Sequence, residues 1–462
     1  MHYVSTRGRP PHLSFADMLL AGLAPDGGLY LPNIWPRFSP EEIAGFAGQP
    51  YWKVSRTILE RLTGDSYADW ELTADIKAAY AGFDDEAIAP LVEIAPGLHV
   101  LELFHGPTLA FKDIALQILG KLFARTLKKT GGKACVLAAT SGDTGSAAIA
   151  ALGGLENVEI FVLHPKGRVS EVQRRQMTTA PFDNVHNIAI EGSFDDAQNI
   201  VKTLFGQTNF ARKVSLTAVN SINFARIAAQ TVYYFTAAAQ LGAKPVFVVP
   251  TGNFGDVFAG EAAMRMGLPV EQLFVATNAN DIMARALNGG VYAAGAAQPT
   301  ISPSMDIQVA SNFERALFEA SGRDAAWITE SFATFGQTKS LTLPSAVRAA
   351  LAERYAAGCY DDATTLATMA HVYQQTGRLI DPHTGVAMAA AYEVREKTKS
   401  PVVVLSTAHP AKFAPAVTEA TGQKAELPEY LKGIMTAPER CVVLPADAGL
   451  VRAHIESTLV LP

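Results

Sequence analysis

The sequence predicts an α/β protein built from parallel sheets with helices on both faces. From about residue 98 onward, short and continuously apolar runs alternate with longer amphipathic stretches. Strands buried on both faces and connected by helices leave that signature. A second observation is length: 462 residues exceed what one compact core accommodates, so two or three domains are expected. Third, neither an internal repeat nor a low-complexity linker interrupts the chain, so domain boundaries are soft.

The elements follow in order. Residues 1–90 mix aromatic, helical and turn-rich pieces and read as an accessory domain. Within it, Asp26-Gly27-Gly28-Leu29-Tyr30-Leu31-Pro32 is a turn followed by a short extended segment. Ser39-Pro40-Glu41-Glu42 opens a helix, with Ser39 as cap and Pro40 at the first helical position. A helix is predicted over 113–127. Residues 134–139 form a buried strand, followed by a glycine-bearing loop and an alanine-rich helix. The next strand is 158–163, and Ser170-Glu171-Val172-Gln173 caps the helix after it. A long helix reaches about Gln240. Runs 246–249, 273–276 and 402–405 are further strands. Residues 281–345 are the least regular stretch, with one capping box at Ser311-Asn312-Phe313-Glu314. Asp381-Pro382 opens a late helix to about Lys397.

Composition narrows the function. Half of the residues are apolar (49%) and few are charged (18%), the balance of a globular enzyme rather than a disordered or fibrous chain. A net charge of −6 provides no field that would draw the protein to nucleic acid or an anionic membrane. An anionic substrate therefore needs a local cluster of donors. The three cysteines, Cys135, Cys359 and Cys441, contain no CxxC pair, which argues against a disulfide framework or a zinc site. The N-terminus lacks the apolar core of a signal peptide, and no uncharged apolar run approaches the roughly 18 residues of a membrane span. A cytoplasmic protein is expected. The ten histidines show neither HExxH spacing nor a nucleophile triad, so metal catalysis and serine hydrolysis have no support.

Ligands of open α/β sheets gather at the carboxyl ends of strands. Three loops stand there: 140–145, 251–256 and 406–410. In Thr251-Gly252-Asn253-Phe254-Gly255-Asp256, two glycines let the backbone approach a ligand and turn its amides inward. The following helix adds its positive end, as a phosphate site requires. An ordinary strand-to-helix turn would look the same. Thr140-Ser141-Gly142-Asp143-Thr144-Gly145 offers hydroxyls and amides suited to a carboxylate or phosphate, or simply a helix cap by Asp143 or Ser141. Lys112, in Phe104-His105-Gly106-Pro107-Thr108-Leu109-Ala110-Phe111-Lys112-Asp113, lies at a helix start behind three apolar residues. Both features favour the neutral amine that a Schiff base needs, although a surface lysine snorkelling into solvent also fits. Asn220-Ser221-Ile222-Asn223-Phe224-Ala225-Arg226 either caps the long helix or holds an oxyanion through Arg226. Lys166-Gly167-Arg168 reads as a solvated loop.

Taken together and in this order, these segments resemble the threonine synthases, within the pyridoxal-phosphate enzymes that share the tryptophan synthase β-subunit fold (fold type II). Tyr3-Val4-Ser5-Thr6-Arg7-Gly8 and the 26–32 stretch complete the set, and the resemblance covers nearly the whole chain. It implies a two-lobed catalytic core behind the accessory domain 1–90. Residues 91–240 would be a smaller lobe with the lysine and the carboxylate loop. Residues 241–462 would be a larger lobe with the phosphate loop and the pyridine-nitrogen contact. Lys112 would hold pyridoxal phosphate as a Schiff base and then act as acid and base. Gly252, Asn253, Phe254 and Gly255 would cradle the cofactor phosphate, with Asp256 at the helix start. Thr407 would face the pyridine nitrogen, a neutral partner that does not enforce a protonated ring. Asp143 stands where many relatives carry asparagine against the ring oxygen. Ser141 and Thr144 would receive the substrate carboxylate, and Asn220, Ser221 and Arg226 the substrate phosphate.

The implied reaction converts O-phospho-L-homoserine and water into L-threonine and phosphate, by γ-elimination and β-addition of water. The alternatives are a serine or threonine dehydratase, a β-replacement enzyme, or a non-catalytic homologue that binds phosphorylated ligands. The implied partner is this small-molecule substrate, with no metal, nucleic acid or membrane, in a monomer or homodimer.

Overall fold

The computed structural model describes residues 1–459. Two parallel sheets organise it. The larger has six strands in the order Tyr355–Cys359, Gln272–Thr277, Val246–Pro250, Val402–Ser406, Leu98–Glu102 and Leu91–Ala95. All neighbours in it are parallel except the final pair. The smaller has five parallel strands in the order Val442–Pro445, Val185–Glu191, Val158–Pro165, Ala134–Ala139 and Leu216–Thr217. Each of the five strands expected from apolar runs is present. Val246–Pro250 and Val402–Ser406 are buried along their whole length, which is why they read as unbroken apolar runs rather than alternating ones.

The sheets do not follow chain divisions at 90 and 240. Leu91–Ala95 and Leu98–Glu102 lie at the edge of the six-stranded sheet, while Val442–Pro445 crosses back to pair with Val185–Glu191. Strand partnership is a long-range choice that local pattern does not encode. A cut placed by changes of pattern therefore misassigns edge strands. Residues 460–462 of the 241–462 span lie outside the described residues.

The N-terminal part is woven into the core. Strands Tyr3–Ser5 and Tyr30–Pro32 pair antiparallel. Tyr3 donates from its hydroxyl to the Leu62 carbonyl at 2.7 Å and packs on Phe224 with ring centroids 5.3 Å apart. Asn223 Nδ2 donates to the Leu19 carbonyl (2.9 Å), and the fully buried Arg315 donates to the Tyr30 carbonyl (3.1 Å). Tyr3 and Leu19 thus brace the start of helix Phe224–Leu241, which carries Arg226, and Arg315 links it to Tyr30 by donating also to the Ile222 carbonyl.

Helix starts separate structural caps from residues freed for other work. Ser170 forms the expected capping box, Ser39 caps its helix as expected and completes a box with Glu42, and Asp381 caps Pro382–Arg395. The box expected at Ser311 does not form. Glu314 instead accepts from Thr6 Oγ1 (2.6 Å) and pairs with Arg7 (2.9 Å), and helix Phe313–Ala320 has no side-chain cap. Neither Ser141 nor Asp143 caps Asp143–Leu152. Asn223, rather than Asn220 or Ser221, caps Phe224–Leu241. Among the described residues no helix is long and apolar enough to cross a membrane.

Candidate active site

A cavity opens where the carboxyl ends of the strands meet the helix starts. Eleven of the thirteen residues singled out from sequence line it: Lys112, Asp143, Thr144, Ser221, Arg226, Gly252, Asn253, Phe254, Gly255, Asp256 and Thr407. The other two do not. Ser141 is half-buried and sits off the wall. Asn220 is exposed, its side chain turned back to accept from the Ile222 amide (3.4 Å). A short polar side chain at a turn is satisfied most cheaply by its own backbone. Lys166 pairs with Glu191 on the surface at 3.0 Å, as the solvated reading requires.

The lysine is placed by a backbone zipper. Phe111 NH donates to the Thr407 carbonyl (2.9 Å) and His409 NH to the Leu109 carbonyl (3.1 Å). The loop before helix Lys112–Thr130 is therefore stitched to the loop after strand Val402–Ser406, and Thr407 is brought beside Lys112. Lys112 is buried, with its ammonium 4.5 Å from the Phe111 ring centroid and 3.2 Å from Asp143 Oδ2. Burial pulls its pKa down. Asp143 opposes the shift, and Lys412 and Arg226 reinforce it. Desolvation and neighbouring cations thus join the helix end expected from sequence in favouring the neutral amine.

Asp143 is held on every side. Oδ1 pairs with the Lys412 ammonium (2.7 Å) and accepts from Gln173 Nε2 (2.8 Å), and Oδ2 accepts from Lys112 Nζ and Ser304 Oγ (3.3 Å). Burial alone would raise its pKa, but Lys412 and Lys112 outweigh that and hold it well below the usual carboxylate range. Gly142, at φ 137°, makes room for the bracing residue, since a Cβ there would lie 2.4 Å from the Gln173 side chain. Gln173 thereby serves both its own helix cap and Asp143.

Opposite lies the turn between Val246–Pro250 and helix Gly255–Arg265. Phe254 adopts a left-handed φ of 63°, fixed by packing of its ring on Phe313 and Tyr355. Among the described residues, the amides of Gly252, Asn253 and Phe254 find no acceptor. A Cβ on Gly252 would come within 2.6 Å of the Ser304 carbonyl, so only glycine keeps the turn this tight. Arg226 is buried with Nε and Nη1 unpartnered, and burial draws it down to about 10. Asp256 accepts from the Tyr233 and Tyr234 hydroxyls, yet its Oδ2 is unpartnered, and burial pushes it up to about 6. Buried polar groups are seldom left unpaired. A guanidinium and free amides around one cavity describe a site shaped for an anionic ligand.

The donor set fits pyridoxal phosphate: an amine of lowered basicity for an aldehyde, free amides at a helix start for a phosphate, and a hydroxyl at a strand end for a ring nitrogen. Residues 88–333 match the family model for pyridoxal-phosphate dependent enzymes, the class that this fold and site define. Models of the threonine synthase N terminus and of its C-terminal part match residues 2–80 and 384–455. Threonine synthase of Pseudomonas aeruginosa is 49% identical over 98% of both chains, and that of Saccharomyces cerevisiae 37% over 99% of this chain and 98% of its own. A crystal structure of PLP-bound threonine synthase from Brucella melitensis superposes with a TM-score of 0.95, at 48% identity and 99% coverage of both chains. The chain belongs to the threonine synthase family.

Sequence reasoning missed Lys412, Gln173, Ser304 and His383. His383 binds Asp381 through Nδ1 (2.8 Å) and accepts from the Ser304 amide at Nε2 (3.2 Å), which steadies the cavity wall. Lys412 carried one signal: it lies two residues past the 406–410 loop, and a lysine flanked by Ala411 and Phe413 is poorly placed for solvent.

Proposed function

We propose that this chain converts O-phospho-L-homoserine and water into L-threonine and phosphate, with Lys112 holding the cofactor. The observation that supports this reading best is the pair of separate anion-seeking groups in one cavity. The free amides at 252–254 suit one phosphate, and the unpartnered, buried Arg226 suits another. A dehydratase or β-replacement enzyme needs only the first.

Bound there, pyridoxal phosphate supplies a conjugated ring that accepts the electrons left when a C–H bond beside the amino group breaks. Gly252, Asn253, Phe254 and Gly255 hold its phosphate, with Asp256 at the helix start, and Thr407 offers a hydroxyl to the ring nitrogen. Asp143 positions the Lys112 nitrogen. Thr144 receives the substrate carboxylate. Arg226 and Ser221 bind the substrate phosphate and stabilise it as it leaves Cγ; Asn220 takes no part. Lys112 moves protons at Cα and Cβ, and its uncharged form suits it to that task. A cytoplasmic setting belongs to the same reading and agrees with three free cysteines, Cys135, Cys359 and Cys441.

The test supplies O-phospho-L-homoserine to purified protein and assays phosphate, threonine and 2-oxo acid. Equal amounts of phosphate and threonine are expected. A 2-oxo acid in place of threonine would assign the chain to the dehydratases. Borohydride reduction followed by peptide mapping should place the pyridoxyl group on Lys112.

A further inference from the structure

Two lysines share one carboxylate at this site. Lys412, on the turn Pro410–Phe413, is about 1% exposed; it forms an ion pair with Asp143 Oδ1 at 2.7 Å and donates a hydrogen bond to the Thr108 carbonyl at 2.7 Å. Lys112 donates one longer bond, at 3.2 Å, to the other oxygen. The Thr108 carbonyl belongs to the loop that delivers Lys112, so Lys412 ties that loop to Asp143. We propose that Lys412 is a positioning residue for Lys112 acting through Asp143: it fixes the carboxylate and consumes its charge, so that Asp143 orients the Lys112 nitrogen without keeping it an ammonium ion.

The charge balance supports this. One carboxylate cannot neutralise two buried ammonium groups, and isolated buried charge is expensive. The cluster relieves its excess by releasing a proton from the lysine with the weaker contacts, which is Lys112. The other groups facing it tilt the same balance. Arg226, on helix Phe224–Leu241, adds positive charge, and Asp256, on Gly255–Arg265, subtracts some. Asp113, which faces Lys412, is engaged by the Thr108 amide (2.8 Å) and hydroxyl (2.7 Å). Asparagine at 143 would orient Lys112 without any need for a second lysine. Aspartate at that position requires a counter-ion, and Lys412 is that ion.

This inference rests on Lys112 being the cofactor lysine, and its test separates the two claims. Attachment joins the Lys112 nitrogen to the aldehyde carbon of pyridoxal phosphate. The aldehyde oxygen leaves with the two amine protons as water, so only the neutral amine reacts. The full-length chain, stripped of cofactor, is mixed with pyridoxal phosphate across the pH range in which it remains folded. The rate of attachment is read from absorbance, and the linked peptide is identified after borohydride trapping. In Lys412→Met the midpoint of the rate–pH profile should rise by about one pH unit, a tenfold slower attachment below the midpoint. Lys412→Arg should restore much of the original profile. Lys412→Gln, which keeps a donor but no charge, should behave like Lys412→Met and serves in its place should that variant fail to fold. Coincident profiles for the parent and either neutral variant would overturn the role of Lys412. Failure of the parent chain itself to attach the cofactor at Lys112 would overturn the functional reading instead.

Discussion

The two walls of the cavity solve opposite problems. On the lysine side, every ionised group is answered from within the protein: Lys412, Gln173, Ser304 and Lys112 converge on Asp143. On the glycine-loop side, Arg226 Nε and Nη1, Asp256 Oδ2 and three backbone amides have no partner among the described residues. The first wall is finished before any ligand arrives, as the placement of a reactive amine requires. The second is unfinished, and the free energy lost by leaving buried polar groups unpaired is recovered when anions bind. Catalytic positioning is thus built into the fold, whereas affinity is deferred to the ligand.

The largest effect expected is chemical. Lys112→Ala removes the one group that both holds the cofactor and moves protons, so turnover should fall by at least about 10³-fold. Thermal stability should change little, because Lys412 and Gln173 still satisfy Asp143. Steady-state rates together with calorimetry check both halves.

The two walls should also differ in the sign of their stability changes. Asp143→Ala leaves Lys412 buried without its counter-ion, and breaking such a pair costs about 3–5 kcal/mol. Arg226→Met removes an unpartnered buried charge from the ligand-free protein, so denaturation should show that chain unchanged or stabilised by about 1 kcal/mol. Its affinity for the phosphorylated substrate should nevertheless weaken by about tenfold or more. A destabilised Arg226→Met with unaltered substrate affinity would erase the distinction between the walls.

The half of the site visible in sequence was the half carried by local backbone chemistry. Gly252 and Gly255 at a strand end, the apolar run before Lys112 and the hydroxyl-rich 140–145 loop each announce a turn that meets a helix start. The bracing residues were silent because they arrive through tertiary contact: Lys412 reaches the Thr108 carbonyl across 304 positions and Ser304 reaches Asp143 across 161. The placement of Asn220 away from the cavity has the same origin. Its residue type suited an anion, but its backbone turns the side chain onto itself. The fold divided likewise. Strands buried on both faces announced themselves, whereas Val442–Pro445, largely exposed along an edge, carried no such run.

A smaller effect follows from Asp256, whose burial raises its carboxyl to about 6 against the lowering pull of the Tyr233 and Tyr234 hydroxyls. The folded state holds this proton more tightly than the unfolded chain does. Below about pH 4 both states are protonated, and Asp256 costs the fold nothing. As pH rises from there to about 6 the unfolded chain ionises first, so a penalty accumulates and then levels off at roughly 3 kcal/mol as an upper bound. Asp256→Asn should therefore match the parent in acid and become the more stable chain as pH passes through this window, with the gap constant above it. Denaturant titrations of the ligand-free proteins at a series of pH values measure that gap. An Asp256→Asn chain that instead becomes the less stable one as pH rises would mean that the carboxylate is stabilised by a cation on this wall, and that the wall is already complete before any ligand binds.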